Sequence, residues 1–150
     1  MTIIRAGLPD VDEAAPLFDA YRAFYGAPHD LAAATTFLTD RLERDESVVL
    51  LSRRDGSAVG FAQLYPLFSS TRLAAIWLLN DLFVAESARG SGAVDELLDA
   101  AATLAAEAGC IAIELSTAHT NTRAQAVYVR HGYLLDEVYR SYEKPLTQHG

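Results

Sequence analysis

Hydrophobic and polar positions along this chain of 150 residues change period several times, and each change marks an element. Apolar residues at helical spacing predict helices, and the spacing of Asp10 and Glu13 is that of a capping box at the start of the first. Gly109 and Gly132 stand where left-handed residues end helices. The predicted helices cover residues 10–24, 30–44, 91–108 and 123–130.

Shorter apolar runs between the helices predict strands. Asp55-Gly56 is a hairpin-turn signal that joins two of them. The run Leu73–Val84 is apolar on both faces, which is typical of a strand inside a sheet covered on both sides. The predicted strands are Thr2–Arg5, Ser47–Arg53, Ala58–Leu67, Leu73–Val84, Ile111–Leu115, Tyr133–Val138 and Tyr139–Glu143.

The resulting order is β-α-α-β-β-β-α-β-α-β-β. It indicates an α/β fold, with a mixed sheet that has helices on both sides. We see no linker, repeat or low-complexity tract, so we expect one domain over residues 1–150.

Composition narrows the class of protein. The chain is 51% hydrophobic and 21% charged, which are globular values. Its formal charge of −8 argues against nonspecific nucleic-acid binding, which needs a basic surface. The single cysteine, Cys110, excludes an intrachain disulfide and a cysteine-based zinc site, and we expect no metal. The chain begins without a signal-peptide pattern and no apolar run reaches about 18 residues, so we expect a cytoplasmic protein that does not bind membranes.

The segment from Leu82 to Ala93 carries the strongest functional signal. An apolar strand leads through Arg89-Gly90-Ser91-Gly92 directly into the long third helix. Two glycines let the backbone bend tightly, so that several N–H groups meet at the positive end of the helix dipole. Such a turn binds anions, most naturally a diphosphate.

Two common kinds of glycine-rich phosphate turn fit poorly. A nucleotide P-loop needs Gly-Lys-Ser/Thr, which this segment lacks. A dinucleotide fingerprint needs a third Gly or Ala where Asp95 stands, and Glu114 is the only feature that favours it.

Two segments instead resemble the GCN5-related N-acetyltransferase family. Arg89, Gly92 and Val94 occupy the places of its diphosphate loop, Arg/Gln-x-x-Gly-x-Gly/Ala, with Val94 in place of the small residue. The stretch 121–133 matches the second family motif, Asn-x-x-Ala-x-x-x-Tyr-x-x-x-Gly-Phe/Tyr. The two motifs come in the family's order, about thirty residues apart, and each lies in the expected element.

The resemblance implies acetyl-CoA as the acyl donor and a site for it in the sheet. In this family the central strand has a bulge and splays from its neighbour, which places the opening here between the strand ending at Val84 and the one beginning at Ile111. Asn121 would hold the cofactor on the far side, and the Tyr128 phenol would protonate the departing sulfur. The remaining cofactor-binding residues would be Leu82, Phe83, Val84, Arg89, Gly90, Ser91, Gly92, Ala93 and Val94.

The base and the acceptor pocket are less determined. Asp81 is a charge within an apolar run, and buried carboxylates are unusual unless partnered or functional. We take it as the base, acting through water, beside the equal alternative of a partnered structural carboxylate. The segment resembles the Leu-Glu-Asp-Phe-Phe-Val stretch of polyamine acetyltransferases, with Asn80 in place of the glutamate. The acceptor pocket is expected to be shaped by the loop near Phe24, Tyr25, Gly26 and His29, together with Tyr65, the 68–72 turn and Trp77, which is otherwise sheet core.

The leading hypothesis is therefore an N-acetyltransferase. It would transfer acetyl to a small-molecule primary amine (polyamine-, thialysine- or amino-acid-like) by direct attack in a ternary complex. An acyl-CoA-binding sensor or regulatory module is the main alternative, supported by Val94 and Asn80, and a dinucleotide-dependent oxidoreductase is the third. A homodimer is common in the family and is left open.

Overall fold

The structure, a computed structural model, describes residues 2–147. The four helices begin and end within two residues of the predicted bounds: α1 (Val11–Phe24), α2 (Leu31–Glu43), α3 (Ala93–Glu107) and α4 (Thr122–Arg130). The strands of the sheet are β1 (Thr2–Arg5), β2 (Val48–Arg54), β3 (Ser57–Ser69), β4 (Ala74–Val84) and β5 (Ile113–Glu114).

The five strands form one sheet in the order β1-β2-β3-β4-β5. The first four pair antiparallel, and β4 pairs with β5 in parallel. The expectation of a mixed sheet is thereby confirmed. Strand β5 is shorter than predicted, because its ladder with β4 consists of Trp77 with Ile113 and Leu78 with Glu114.

Helices cover both faces of this sheet. Helices α1 and α2 bury Phe18 and Leu38 against Val49, Leu51 and Phe61. Side chains alternate along a strand, so Leu50 and Gly60 belong to the opposite face, where α3 packs. A Cβ atom at Gly60 would lie 3.4 Å from Leu97 Cδ1 and 3.2 Å from the carbonyl oxygen of Phe83. Glycine at this position therefore lets α3 approach the sheet closely.

Contacts along the chain separate two compact units, one ending at Ser116 and the other beginning at Thr117. The first holds the sheet and α1 to α3, and the second holds α4 and the segment after it. The predicted single domain also takes in residues 1 and 148–150, which lie outside the described residues. Within residues 2–147 no helix is long and apolar enough to cross a membrane.

Two predictions made from the sequence are wrong. Asp10 and Glu13 do not form a capping box for α1, because Glu13 Oε1 accepts a hydrogen bond from Arg53 Nε (2.8 Å) and Asp10 Oδ2 accepts one from Gly7 N (2.8 Å). Residues 133–147 contain no strand, although a pair was predicted there. In that segment Asp136 Oδ1 accepts from the backbone N–H groups of Val138 (2.9 Å) and Tyr139 (3.0 Å), and this local turn replaces a strand ladder.

The connection between α1 and α2 is held by a buried carboxylate. Asp19 Oδ1 accepts from the backbone N–H of Asp30 (2.8 Å), and Oδ2 lies 2.7 Å from His29 Nδ1. The backbone hydrogen bond from Asp30, followed by the one from His29, lowers the pKa of Asp19 below its ordinary value of 3.8. A group whose pKa is lowered by folding stabilises the fold above its unfolded pKa, and that contribution is lost as the pH falls through the folded pKa.

Replacing Asp19 with Asn should therefore lower the melting temperature at pH 7, and this effect should be smaller at about pH 3, which lies below the ordinary pKa of 3.8 and so in the range where the stabilisation by the carboxylate is being lost. Thermal unfolding followed by circular dichroism at both pH values measures this. Asp55→Asn is the matched control, since Asp55 is exposed in a turn. Its φ of 52° is one that asparagine also tolerates. An equal loss at both pH values would show that the carboxylate charge contributes nothing.

Candidate functional site

Strand β4 has a bulge at Asn80. In its pairing with β3, Asp81 lies opposite Gln63 and Leu79 lies opposite Leu64, so that Asn80 has no partner in the register. A one-residue bulge reverses the faces of the residues beyond it. Asp81 therefore faces α1 together with Gln63, whereas Leu79 faces α3.

On its other side, β4 separates from β5 after a short contact. Ile111 N donates to Ala75 O (3.1 Å) and Trp77 N donates to Ala112 O (3.2 Å), and the ladder ends at Leu78. In the part of the chain that the structure describes, residues 79–84 of β4 have no partner strand on this side. At about 3.3 Å per residue the open edge is ~20 Å long. It is the opening predicted between these strands, and Leu82, Phe83 and Val84 lie along it.

The open edge leads into the glycine turn. A single 3-10 turn (Glu86–Ala88) follows β4, and Gly90 and Gly92 then adopt positive φ values of 77° and 88°. Helix α3 begins at Ala93. Gly92 stands at the N-cap and has no side chain to accept from the first-turn amides, so these donors face outward at the positive end of the helix dipole.

Space around the turn fits a diphosphate. A Cβ atom built on Gly90 or Gly92 would meet no described atom within 4 Å, so both glycines border open space. Ala93 is buried against the core and Val94 is half-buried, which keeps the valine from displacing α3. Arg89 is exposed; its guanidinium lies 5.9 Å from the ring centre of Phe24, and its Nε lies 3.4 Å from Val84 O.

Asp81 is a buried carboxylate with two amide partners. The residue is only 5% exposed. Gln63 Nε2 donates to Oδ2 (2.9 Å) and Asn80 Nδ2 donates to Oδ1 (3.1 Å). Gln63 Oε1 is buried and has no hydrogen-bond partner among residues 2–147, which shows that the amide is oriented for the carboxylate. The sequence analysis missed Gln63, although an amide between Ala62 and Leu64 in an apolar run was a usable signal.

Tyr65 lies on the same face as Gln63 and Asp81, two residues further along β3. Burial, and next the negative charge of Asp81, raise the pKa of Tyr65 to about 12. Its phenol therefore stays protonated at neutral pH. Beyond it, a cavity of about 550 Å³ is lined by Arg41, Asp45, Glu46, Tyr65 and Pro66.

Aromatic side chains from the end of α1 pack against Phe83, the next residue after Asp81 on the α1 face of β4. Tyr25, which is 66% exposed, contacts Tyr21 and Phe24 with ring centres 5.1 and 5.2 Å away. Tyr21 and Phe24 in turn contact Phe83 at 6.1 and 6.3 Å. The predicted acceptor residues Tyr25 and Tyr65 are thus both on the α1 side of the sheet, with Asp81.

Trp77 and the 68–72 turn were expected at the acceptor pocket, and both lie away from the Asp81 carboxylate. Trp77 pairs with Pro66 on the far side of the bulge, is 5% exposed and belongs to the α3 face, so it is sheet core rather than a wall beside Tyr65. The 68–72 turn lies at the tip of the β3–β4 hairpin. Phe68 is five residues from Gln63 along β3, or ~17 Å, which is too far to contact the Asp81 carboxylate.

The second unit holds the other predicted cofactor residues. Asn121 is the N-cap of α4, where its Oδ1 accepts from Ala124 N (3.1 Å). The ring of Tyr128 packs against Tyr133 with centres 5.8 Å apart. The roles of Asn121 and Tyr128 toward the cofactor stay predictions.

Comparisons with known proteins agree with this geometry. A model of the acetyltransferase (GNAT) family matches residues 14–133. An uncharacterized N-acetyltransferase, YhfO of Bacillus subtilis, is 44% identical over 133 residues, 89% of each chain. The D-amino-acid N-acetyltransferase HPA3 of Saccharomyces cerevisiae is 35% identical over 83 residues, 55% of this chain and 52% of that one. A crystal structure of a probable acetyltransferase superposes with a TM-score of 0.94 at 40% identity, over 99% of this chain and all of the other.

Replacing Gly92 with Ala should weaken CoA binding by about tenfold, or about 1.4 kcal/mol, because it places a methyl group beside the phosphate donors. Gly56→Ala is the matched control. Gly56 also has a positive φ, 79°, and open space around it, but it lies in the β2–β3 turn. Isothermal titration calorimetry with CoA measures both.

Acetyl-pantetheine, which lacks the diphosphate, should bind the Gly92→Ala and wild-type proteins equally. Unchanged CoA affinity in Gly92→Ala, or the same loss in Gly56→Ala, would remove the diphosphate from this turn.

Proposed function

The chain belongs to the GNAT family and is an N-acetyltransferase, and within that activity we propose that it acetylates a primary amine of a small molecule. One observation carries this proposal: the open edge of β4 runs from a buried carboxylate at one end into a glycine turn at the other. A donor lying along that edge has its acyl end near Asp81 and its diphosphate at α3.

Members of this family use acetyl-CoA, which supplies an acetyl group already activated as a thioester. In the proposed arrangement, backbone groups of Leu82, Phe83 and Val84 pair with the pantetheine amides as a neighbouring strand would. The turn from Arg89 to Val94 binds the diphosphate through main-chain N–H groups. An amide near Leu82 polarises the thioester oxygen.

The reaction requires two proton transfers, one from the acceptor amine and one to the departing sulfur. An alkyl amine has a pKa of about 10.4 and is an ammonium at neutral pH, so Asp81, through a water molecule, takes the proton that the nitrogen must lose. The nitrogen then forms a bond to the carbonyl carbon and the carbon–sulfur bond breaks. Tyr128 gives its phenolic proton to the departing sulfur, and the products are an N-acetyl amine and a thiol.

The surroundings of Asp81 favour a cationic acceptor. Tyr65 and the exposed ring of Tyr25 lie on the same side of the sheet as the carboxylate, and the chain has a formal charge of −8. Polyamine-, thialysine- and amino-acid-like amines fit this description. The relation to a D-amino-acid N-acetyltransferase supports the amino-acid amines among them.

A second function, an acyl-CoA-binding sensor, is favoured by one observation. Both oxygens of Asp81 already accept from Gln63 and Asn80, as they would in a purely structural carboxylate. The sensor would bind acetyl-CoA and release no thiol with any amine.

An amine panel therefore separates the two functions. With acetyl-CoA and spermidine, thialysine or single amino acids, the proposal expects thiol release above the hydrolysis rate, measured with a chromogenic disulfide. Binding of acetyl-CoA without thiol release from the whole panel would establish the sensor instead.

On the best amine of that panel, Asp81→Asn should lower kcat about a hundredfold at pH 7 and leave CoA affinity unchanged. The defect should shrink near pH 10, since the amine then arrives largely deprotonated. The pH dependence of kcat for both proteins is the measurement. Undiminished turnover in Asp81→Asn would assign the carboxylate a structural role.

A further inference from the structure

A cavity with a charged lining lies next to Tyr65, on the same side of the sheet as Asp81. Its volume is about 550 Å³, and its lining residues are Arg41, Asp45, Glu46, Tyr65 and Pro66. The arginine comes from the end of α2, and the two carboxylates come from the turn between α2 and β2. Because Tyr65 and Gln63 share a face of β3, the cavity begins ~7 Å along the strand from the residue that pairs with Asp81.

Negative charge exceeds positive charge in this lining. Arg41 is held by the protein, since its Nε lies 3.0 Å from Glu46 Oε1 and its guanidinium carbon lies 4.9 Å from the ring centre of Phe37. The Asp45 carboxylate makes no hydrogen bond or ion pair within residues 2–147. One positive charge therefore accompanies two negative ones, and the cavity favours a cation over an anion.

Two buried oxygens on this face of the sheet add to its polarity. Ser47, directly before β2, is 4% exposed, and its Oγ has no hydrogen-bond partner in the described chain. The pairing of Val48 with Leu64 places Ser47 across from Tyr65. Gln63 Oε1, two residues along β3 from Tyr65, is the second such oxygen. Unsatisfied oxygens in a protein interior favour hydrogen-bond donors, and an ammonium is a donor that has no acceptor of its own.

Tyr65 lies between the Asp81 carboxylate and the cavity. Burial is the main cause of its raised pKa, which the charge of Asp81 raises further and the charge of Arg41 lowers. Both charges are therefore near the phenol, whose ring presents apolar surface between them. Strands β4 and β2 are two strand spacings apart, or ~10 Å. A short alkyl chain is enough to connect the two ends.

We propose that the acceptor is a linear diamine, whose second ammonium binds Asp45 in this cavity, beside Glu46. The reacting nitrogen lies at Asp81 and the methylene groups lie along the Tyr65 ring. This inference rests on the proposed function and narrows it, because it assigns specificity to a second positive charge. An acceptor with a carboxylate at that end would be repelled by Asp45.

Three amines that share a chain of five methylene groups test the far end of the acceptor. Cadaverine ends in an ammonium, hexylamine in a methyl group and ε-aminocaproate in a carboxylate. With acetyl-CoA, kcat/KM should be about fivefold higher for cadaverine than for hexylamine, the upper range for an ion pair open to solvent, and lowest for ε-aminocaproate. Hexylamine acetylated as well as cadaverine, or a preference for ε-aminocaproate, would overturn the diamine assignment.

Variants of the cavity test the same preference. Asp45→Asn should lower the cadaverine-to-hexylamine ratio of kcat/KM to about one, through KM rather than kcat. Asp55→Asn is the matched control and should keep the ratio, since both aspartates are exposed turn residues, with φ values of 54° and 52°. Arg41→Gln should raise the ratio, because it removes the cation that pairs with Glu46. An unchanged ratio in Asp45→Asn, or a lower one in Arg41→Gln, would overturn the proposal.

The outcomes also separate this inference from the proposed function. If cadaverine and hexylamine are acetylated alike, acetyl transfer to a small amine stands and the diamine assignment fails. If no amine releases thiol, the acetyl transfer fails, and calorimetric titration of cadaverine into the protein with acetyl-CoA still tests the cavity. Binding that is weaker in Asp45→Asn than in the wild type and in Asp55→Asn would support the cavity site, and equal or absent binding would overturn it.

Discussion

The main chain of β4 has hydrogen-bonding groups on both of its edges, and the fold pairs only one of these edges along its whole length. Its pairing with β5 ends at Leu78, while its pairing with β3 continues to Val84. Unpaired backbone donors and acceptors inside a protein are costly, so the edge from Leu79 to Val84 favours a ligand that hydrogen-bonds as a strand does. The strand then passes into a turn whose glycines leave the α3 amides uncapped. In the proposed arrangement, one strand thus positions both ends of an extended, phosphate-bearing donor.

The bulge at Asn80 determines which side chains meet that edge. Without it, Asp81 would share a face with Leu79 and Trp77. With it, Asp81 lies on the α1 face with Gln63 and Tyr65, and the tryptophan is left in the core on the other side. Burial of a carboxylate is unfavourable unless it is hydrogen-bonded, and the two amides of Gln63 and Asn80 meet this requirement.

Local signals in the sequence located most of the fold. The helices, the Asp55-Gly56 turn and the positive φ of Gly90 and Gly92 depend on neighbouring residues, so pattern alone predicted them. The remaining features depend on contacts between distant parts of the chain, which the pattern alone did not predict. Arg53 arrives from β2 and takes the Glu13 carboxylate that was assigned to a cap. The side of Trp77 depends on a bulge that alternation does not reveal, and Gln63 is meaningful only once it lies opposite Asp81. The strands expected after Gly132 would need the edge of another strand to pair with, and the periodicity of the sequence does not reveal whether such an edge is in place.

The central claim is that the main-chain N–H groups at the Gly92–Ala93 start of α3 bind the diphosphate of CoA, with the pantetheine along the open edge of β4. A crystal structure of the protein with CoA measures this directly. The account predicts diphosphate oxygens within hydrogen-bond distance of those amides and pantetheine amides paired with β4 between Leu82 and Val84. A diphosphate bound away from this turn would contradict it.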